Sequence, residues 1–184
     1  MMAGAGMNVA EMDATNHGSK PIIGLLGGIG GGKSTIGRMF AAQGCMIIDA
    51  DALAHDILQS DDVKHEIRAW LGDAVFEADG SVNRKAVARH VFSGPAEIAR
   101  LNALIHPRVG AERKKRTAEG MADPRIVAVV WDIPLLLEIG LDRECDAVVF
   151  VNVPREERLR RLKASRGWGE QEVTRRANLK ITLD

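Results

Sequence analysis

The chain has 184 residues, 46% of them hydrophobic, enough for one compact α/β domain with a small inserted element and a buried core. Its 25 Lys and Arg balance 25 Asp and Glu, which argues against binding nucleic acid or an anionic membrane through bulk charge. Cys45 and Cys145 lack metal-ligand spacing and no apolar run reaches membrane-spanning length, so the expectation is a cytoplasmic protein with reduced, core or half-core thiols.

Residues 1–19, rich in Gly, Ala, Asn and Met without periodicity, read as a disordered extension, or as a start upstream of the true one at Met7 or Met12. Pro21 to Leu26 has the length and Ile/Leu content of a buried strand. It feeds Gly27-Gly28-Ile29-Gly30-Gly31-Gly32-Lys33-Ser34, which satisfies G-x-x-x-x-G-K-[ST] in the strand–loop–helix setting that pattern needs. Glycines let successive backbone N–H groups turn inward around phosphates, and the helix that follows adds unpaired N–H groups and a positive dipole end. Gly28, Ile29, Gly30, Gly31 and Gly32 are thus the expected cradle. Lys33 is expected at the β- and γ-phosphates, Ser34 on Mg²⁺ and Thr35 beside the phosphates. A dinucleotide fingerprint starting at Gly28 or Gly30 would put its third glycine on Lys33 or Thr35, so the loop suits a nucleoside triphosphate, ATP, rather than NAD.

Lys33 to Gln43 reads as a helix with Ile36, Met39 and Phe40 on one stripe and Gly44 as its stop. Cys45 to Ile48 is a second strand ending at Asp49, and Asp51 opens a helix to about Leu58. Strand–helix–strand order implies a parallel sheet with right-handed crossovers. Asp49 and Asp51 fall at the strand's carboxyl end, where reacting groups gather in open α/β sheets. One carboxylate there can order a metal's water shell and the other can accept a proton from an attacking hydroxyl. Asp51 equally fits a helix N-cap.

From Ser60 to Gly120 no strong strand appears. Val63, Ile67 and Trp70 or Leu71 have helical spacing, Ala78 to Ser81 is a turn, and Arg84 to Phe92 is helical with Val87 and Val91 inward. Pro95 to Ile105 is helical; His106-Pro107 interrupts it, with Pro107 in the first turn of a new helix to about Glu119. Arg113 to Arg116 is a basic run that reads as a solvated helix end. His106 fits either a contact to substrate phosphates or a structural cap.

Arg125 to Trp131 is a buried strand ending in Asp132, a carboxylate positioned to hold Mg²⁺ or its waters opposite Ser34. The continuation Ile133-Pro134-Leu135-Leu136-Leu137-Glu138 is an apolar turn before a single acid, which suits a polar substrate group or a cap. Asp146 to Val151 is another strand, Pro154 to Ser165 a charged helix, and Glu170 to Leu179 a further helix. Arg158 and Arg161 share one face of the charged helix, as a lid closing over phosphates would require.

Together these residues resemble the dephospho-CoA kinase family of P-loop kinases. The resemblance rests on Gly27 to Thr35, Ile48-Asp49-Ala50-Asp51 with His55 downstream, Val91-Phe92, His106-Pro107, Pro134-Leu135-Leu136-x-Glu138 and Arg158-x-x-Arg161-Leu162, in that order from about Pro21 to the end. The loop alone indicates a P-loop kinase; the later motifs are the specific ones. The resemblance implies a three-layer α/β fold with a parallel sheet, core 20–59 and 121–153, a helical substrate-binding insertion 60–120 and a lid 154–170. It implies ATP-dependent phosphorylation of the ribose 3′-hydroxyl of dephospho-CoA, the last step of coenzyme A synthesis. Asp51 would be the base, Lys33 and Arg161 the cations on the phosphates, and Ser34, Asp49 and Asp132 the metal's partners. Asp51, His106, Pro134, Leu135 and Glu138 would meet the substrate.

The chain departs from the family at Leu137, where an aromatic is usual, and at Arg166, one place later than the usual loop arginine. The family continues past the position of Asp184, so the carboxyl end reads as shortened. Two alternatives stay open: another P-loop kinase of a small metabolite, and a truncated nucleotide-binding remnant. The expected assembly is a monomer or weak homo-oligomer.

Overall fold

The computed structural model describes residues 20–91 and 94–174; the expectations for residues 1–19, Phe92 and 175–184 lie outside the described residues. Among the described residues four strands form one parallel sheet, β1 (Ile22–Gly27), β2 (Met46–Asp49), β3 (Val129–Asp132) and β4 (Ala147–Val151), ordered β2-β3-β1-β4. The central strands are apolar on both faces, as a covered parallel sheet requires: Leu25, Val129 and Val130 are fully buried. The register sets Asp49 beside Asp132 and Asp132 beside Leu25, so β1 runs two residues further before its loop begins. All four carboxyl ends therefore meet at one edge.

Helix α1 (Lys33–Ala42) returns from β1 to β2. Its buried residue is Gly37, while Met39, expected on the inner stripe, is 61% exposed. The helix leans on the sheet through its smallest side chain, which draws the backbone close and rotates Met39 outward.

Helices α2 (Ala50–Leu58), α3 (Asp61–Leu71) and α4 (Arg84–Val91) follow β2. With the first half of α5 (Pro95–Ala122) they enclose an apolar cluster centred on Val63, Ile67, Val75, Val87 and Val91. The Gln59 side chain imitates a strand partner here: its amide donates to the Val82 carbonyl at 3.1 Å and accepts the Val82 N–H at 2.9 Å. A tight turn at Gly80 brings Val82 back against Phe76.

Helix α5 corrects the expectation of a break at His106-Pro107. It runs unbroken for 28 residues with Pro107 inside it. Proline removes one helical hydrogen bond and crowds the preceding turn. The apolar contacts nevertheless continue across it, since Leu104, Ile105 and Val109 all pack on the helical cluster, and the Arg108 guanidinium donates to the Leu104 carbonyl at 2.8 Å. Tertiary packing outweighs the local break. Val109 also touches the second cluster, formed by Ile48, Leu53, Trp131, Ile133 and Leu136 against the sheet.

The basic run on α5 is a second correction. Lys114 and Lys115 are exposed, but Arg113 is only 5% exposed. Its guanidinium lies 4.1 Å from the centre of the Trp131 ring and 3.5 Å from Glu144, and Thr117 accepts the Trp131 indole N–H at 3.1 Å. Arg113 thus fills an apolar position between α5 and β3 with its stem and ring contact. Arg113→Ala is expected to cost about 2–3 kcal/mol from lost packing and cation–π contact. Urea unfolding checks this: a change below about 0.5 kcal/mol would return Arg113 to the solvated surface.

Helix α6 (Arg155–Arg166) closes the described core, with Leu162 buried beneath it. A helical turn at 170–174 follows, and Arg155 joins it to α6 through an ion pair to Glu170 at 2.5 Å. Both cysteines are free and half-buried, and burial pushes the Cys145 thiol up to about 11, out of the reactive range.

Candidate active site

The loop after β1 folds into a cradle. The Gly31 N–H donates to the Gly28 carbonyl at 2.9 Å, and Gly32, at φ 93°, turns the chain into α1. No side chain caps that helix; the Thr35 and Ile36 N–H groups bond to the Gly32 carbonyl, and an uncapped helix N-terminus directly after a glycine loop suits an anion. The Lys33 ammonium folds back to donate to the Gly27 carbonyl at 2.9 Å. Ser34 and Thr35 are exposed, and Thr35 accepts from Arg38 at 3.2 Å.

Helix α6 roofs this cradle. A β-carbon at Gly30, where φ is 76°, would stand 2.8 Å from Leu162 Cγ and 3.1 Å from the Arg158 carbonyl, so a glycine there lets α6 lie against the loop. Arg158 donates to the Val153 carbonyl at 3.1 Å and the Ile29 carbonyl at 3.4 Å. The nearest side-chain atom to a Gly32 β-carbon is the Arg161 Nη1, at 3.8 Å. The sequence reading set Arg158 and Arg161 on a common face; the structure divides their work. Arg158 fastens the helix to the loop backbone, and Arg161 reaches the rim of the cradle.

The carboxylates gather beside it. Asp49, still in extended backbone at φ −95° and ψ 112°, is the cap of α2, its Oδ1 accepting the N–H groups of Asp51 at 2.9 Å and Ala52 at 3.1 Å. The capping role that also suited Asp51 therefore falls to Asp49. Asp51 stands exposed in the first helical turn, where the helix dipole favours its negative charge. Asp132 is the register neighbour of Asp49, so two carboxylates adjoin at the strand ends. Among the described residues no cluster of three or more His, Cys, Asp or Glu could hold a metal by itself. That donor set fits Mg²⁺, which is commonly held by one or two carboxylates together with nucleotide phosphates.

After Asp132 the chain turns through Pro134 to Leu135, whose φ of 59° is unusual for a residue with a side chain. Ile133 and fully buried Leu136 anchor the turn in the sheet cluster, leaving Pro134 and Leu135 half-buried and Glu138 exposed. His106 is exposed halfway along α5, in the helical block rather than at the sheet edge. Glu157, which sequence reasoning did not single out, accepts from Arg161 Nε at 2.7 Å and from Arg160. Its spacing of four residues before Arg161 was the available signal.

Comparison with known proteins gives a consistent result. The family model described as dephospho-CoA kinase matches residues 21–184. The chain is 44% identical to the dephospho-CoA kinase of Corynebacterium efficiens over 155 residues, covering 84% of this chain and 77% of that protein. It is 41% identical to that of Thermobifida fusca, covering 88% and 80%. The crystal structure of TT1252 from Thermus thermophilus superposes with a TM-score of 0.73 at 33% identity, covering 87% of this chain and 80% of that one. Dephospho-CoA kinase from Campylobacter jejuni, at 20% identity and a TM-score of 0.58, shares the fold over 88% and 80% of the two chains. With the phosphate cradle, its arginine roof and the aspartates at the strand ends, the match over nearly the whole described chain is decisive: this protein belongs to the dephospho-CoA kinase family.

Proposed function

We propose that the chain transfers the γ-phosphoryl group of ATP to the ribose 3′-hydroxyl of dephospho-CoA, releasing coenzyme A and ADP. The observation that carries this reading is the juxtaposition of an arginine-roofed phosphate cradle with Asp49, Asp51 and Asp132 at one sheet edge. Gly28 to Gly32 offer the triphosphate their backbone N–H groups, and Lys33 exchanges the Gly27 carbonyl for phosphate oxygens. Ser34, Asp49 and Asp132 would hold Mg²⁺, which when bound neutralises phosphate charge. Asp51 takes the proton of the 3′-hydroxyl as its oxygen attacks the γ-phosphorus and the bond to ADP breaks.

The helical insertion 60–120 and the turn after β3 form the acceptor side, with His106, Pro134, Leu135 and Glu138 as its contacts. Residues 154–170 act as the lid. A cytoplasmic monomer or weak homo-oligomer suits this reading. ADP release measured with and without dephospho-CoA tests it. Release that depends on dephospho-CoA is expected; release that responds instead to nucleoside monophosphates, shikimate or gluconate would overturn it.

Arg161→Ala should lower kcat about 10- to 100-fold while leaving ATP binding by calorimetry changed by less than about threefold, because its cation serves mainly the charge that develops on transfer. Equal losses in rate and affinity would make Arg161 a ground-state contact.

A further inference from the structure

The arginines of α6 are held in different ways. Arg155 is taken by Glu170 and Arg158 by two backbone carbonyls. Arg160 and Arg161 converge on Glu157. Arg160 binds it in two-pronged fashion, Nε to Oε2 at 2.7 Å and Nη2 to Oε1 at 2.9 Å. Arg161 touches it through Nε alone, to Oε1 at 2.7 Å. Holding Arg161 by its inner nitrogen leaves the outer edge of the guanidinium free to project, and Nη1 is the atom that approaches Gly32.

As a contributor to stability this cluster is weak, since half-exposed pairs three and four residues apart on a helix are worth little. As an orienting device it is well made. The carboxylate is the more buried member, 29% exposed against 51% for Arg161, and its two guanidinium neighbours hold its carboxyl at about 2, so it stays charged throughout the neutral range. An unrestrained arginine side chain samples many rotamers, and a cation that must be gathered during the reaction stabilises the transition state less than one already in place.

We propose that Glu157 is a positioning residue for phosphoryl transfer, holding the Arg161 guanidinium by Nε so that its Nη edge faces the phosphate cradle. This rests on the kinase reading of Arg161 given above. Glu157 also offsets part of the arginine's attraction for a resting triphosphate. Its removal therefore separates two quantities that a structural role would move together: turnover falls while ATP binding does not weaken.

The test is a double-mutant cycle on the full chain, with ATP and dephospho-CoA as substrates. Glu157→Gln should lower kcat on the order of 5- to 10-fold with KM for ATP unchanged or lower and the melting temperature nearly unaltered. In an Arg161→Ala background the same substitution should change kcat by less than about twofold, since nothing remains to be positioned. Equal losses from Glu157→Gln in both backgrounds, or a wild-type or raised kcat from Glu157→Gln alone, would overturn the proposal. A wild-type kcat from Arg161→Ala alone would overturn it differently, by removing the role of Arg161 beneath it.

Discussion

Asp51→Asn is expected to retain the fold and bind both substrates while losing about 10²–10⁴ in kcat, the range for removal of a general base. The structure makes this substitution unusually clean. Asp49 supplies the cap of α2, so an amide at residue 51 leaves the Asp49 bonds to the backbone N–H groups of residues 51 and 52 in place. Losing the charge near a helix N-terminus should contribute about 0.3–1 kcal/mol to any stability change. Asp49→Asn is the matching control: the amide oxygen can still cap, yet a weaker ligand beside Asp132 should raise the Mg²⁺ needed for half-maximal rate. Rates across a Mg²⁺ titration, with thermal melts for folding, separate the two aspartates. An ordinary kcat from folded Asp51→Asn would leave Asp51 only its place at the helix end.

Lys33→Ala should lose about two orders of magnitude or more in kcat/KM. In the structure Lys33 is held by the Gly27 carbonyl of its own loop, so its ammonium is stored at the cradle before nucleotide arrives. Backbone N–H groups donate to phosphate oxygens but carry no net charge, and the loop has no other lysine to take over. The Gly31–Gly28 turn does not involve the side chain, so the cradle should survive the change. Near-normal turnover from folded Lys33→Ala would sink the assignment of the loop to ATP.

The cradle was legible in the sequence because its requirements are local: a strand, consecutive glycines, a lysine and a hydroxyl must follow one another, and nothing distant needs to be known. The strand-end aspartates were legible for a similar reason, each closing an apolar run. What stayed hidden depended on partners far along the chain. Pro107 breaks an isolated helix, but Leu104, Ile105 and Val109 bind both sides of it to one cluster. Arg113 looks solvated among basic neighbours until the Trp131 ring, contributed by another element, lies across it. Asp51 reads in the sequence as a cap as well as a base, and only the extended backbone at Asp49, with its bonds to the N–H groups of residues 51 and 52, moves the cap to Asp49.

Helix α5 carries a consequence for anyone wishing to recombine this fold. Its two halves serve different owners. Up to Ile105 it completes the helical cluster; Val109 packs on both clusters, and from there the helix is the outer wall of the sheet, with Arg113 on Trp131 and buried Gly120 near its end. Exchanging residues 60–120 wholesale with a relative, to import another acceptor preference, would fit a foreign wall to a native sheet. A chimera joined just after Val109, which belongs to both clusters, would leave each part with the surface it packs against, and so that turn rather than the proline marks the seam at which the proposed acceptor side can be replaced.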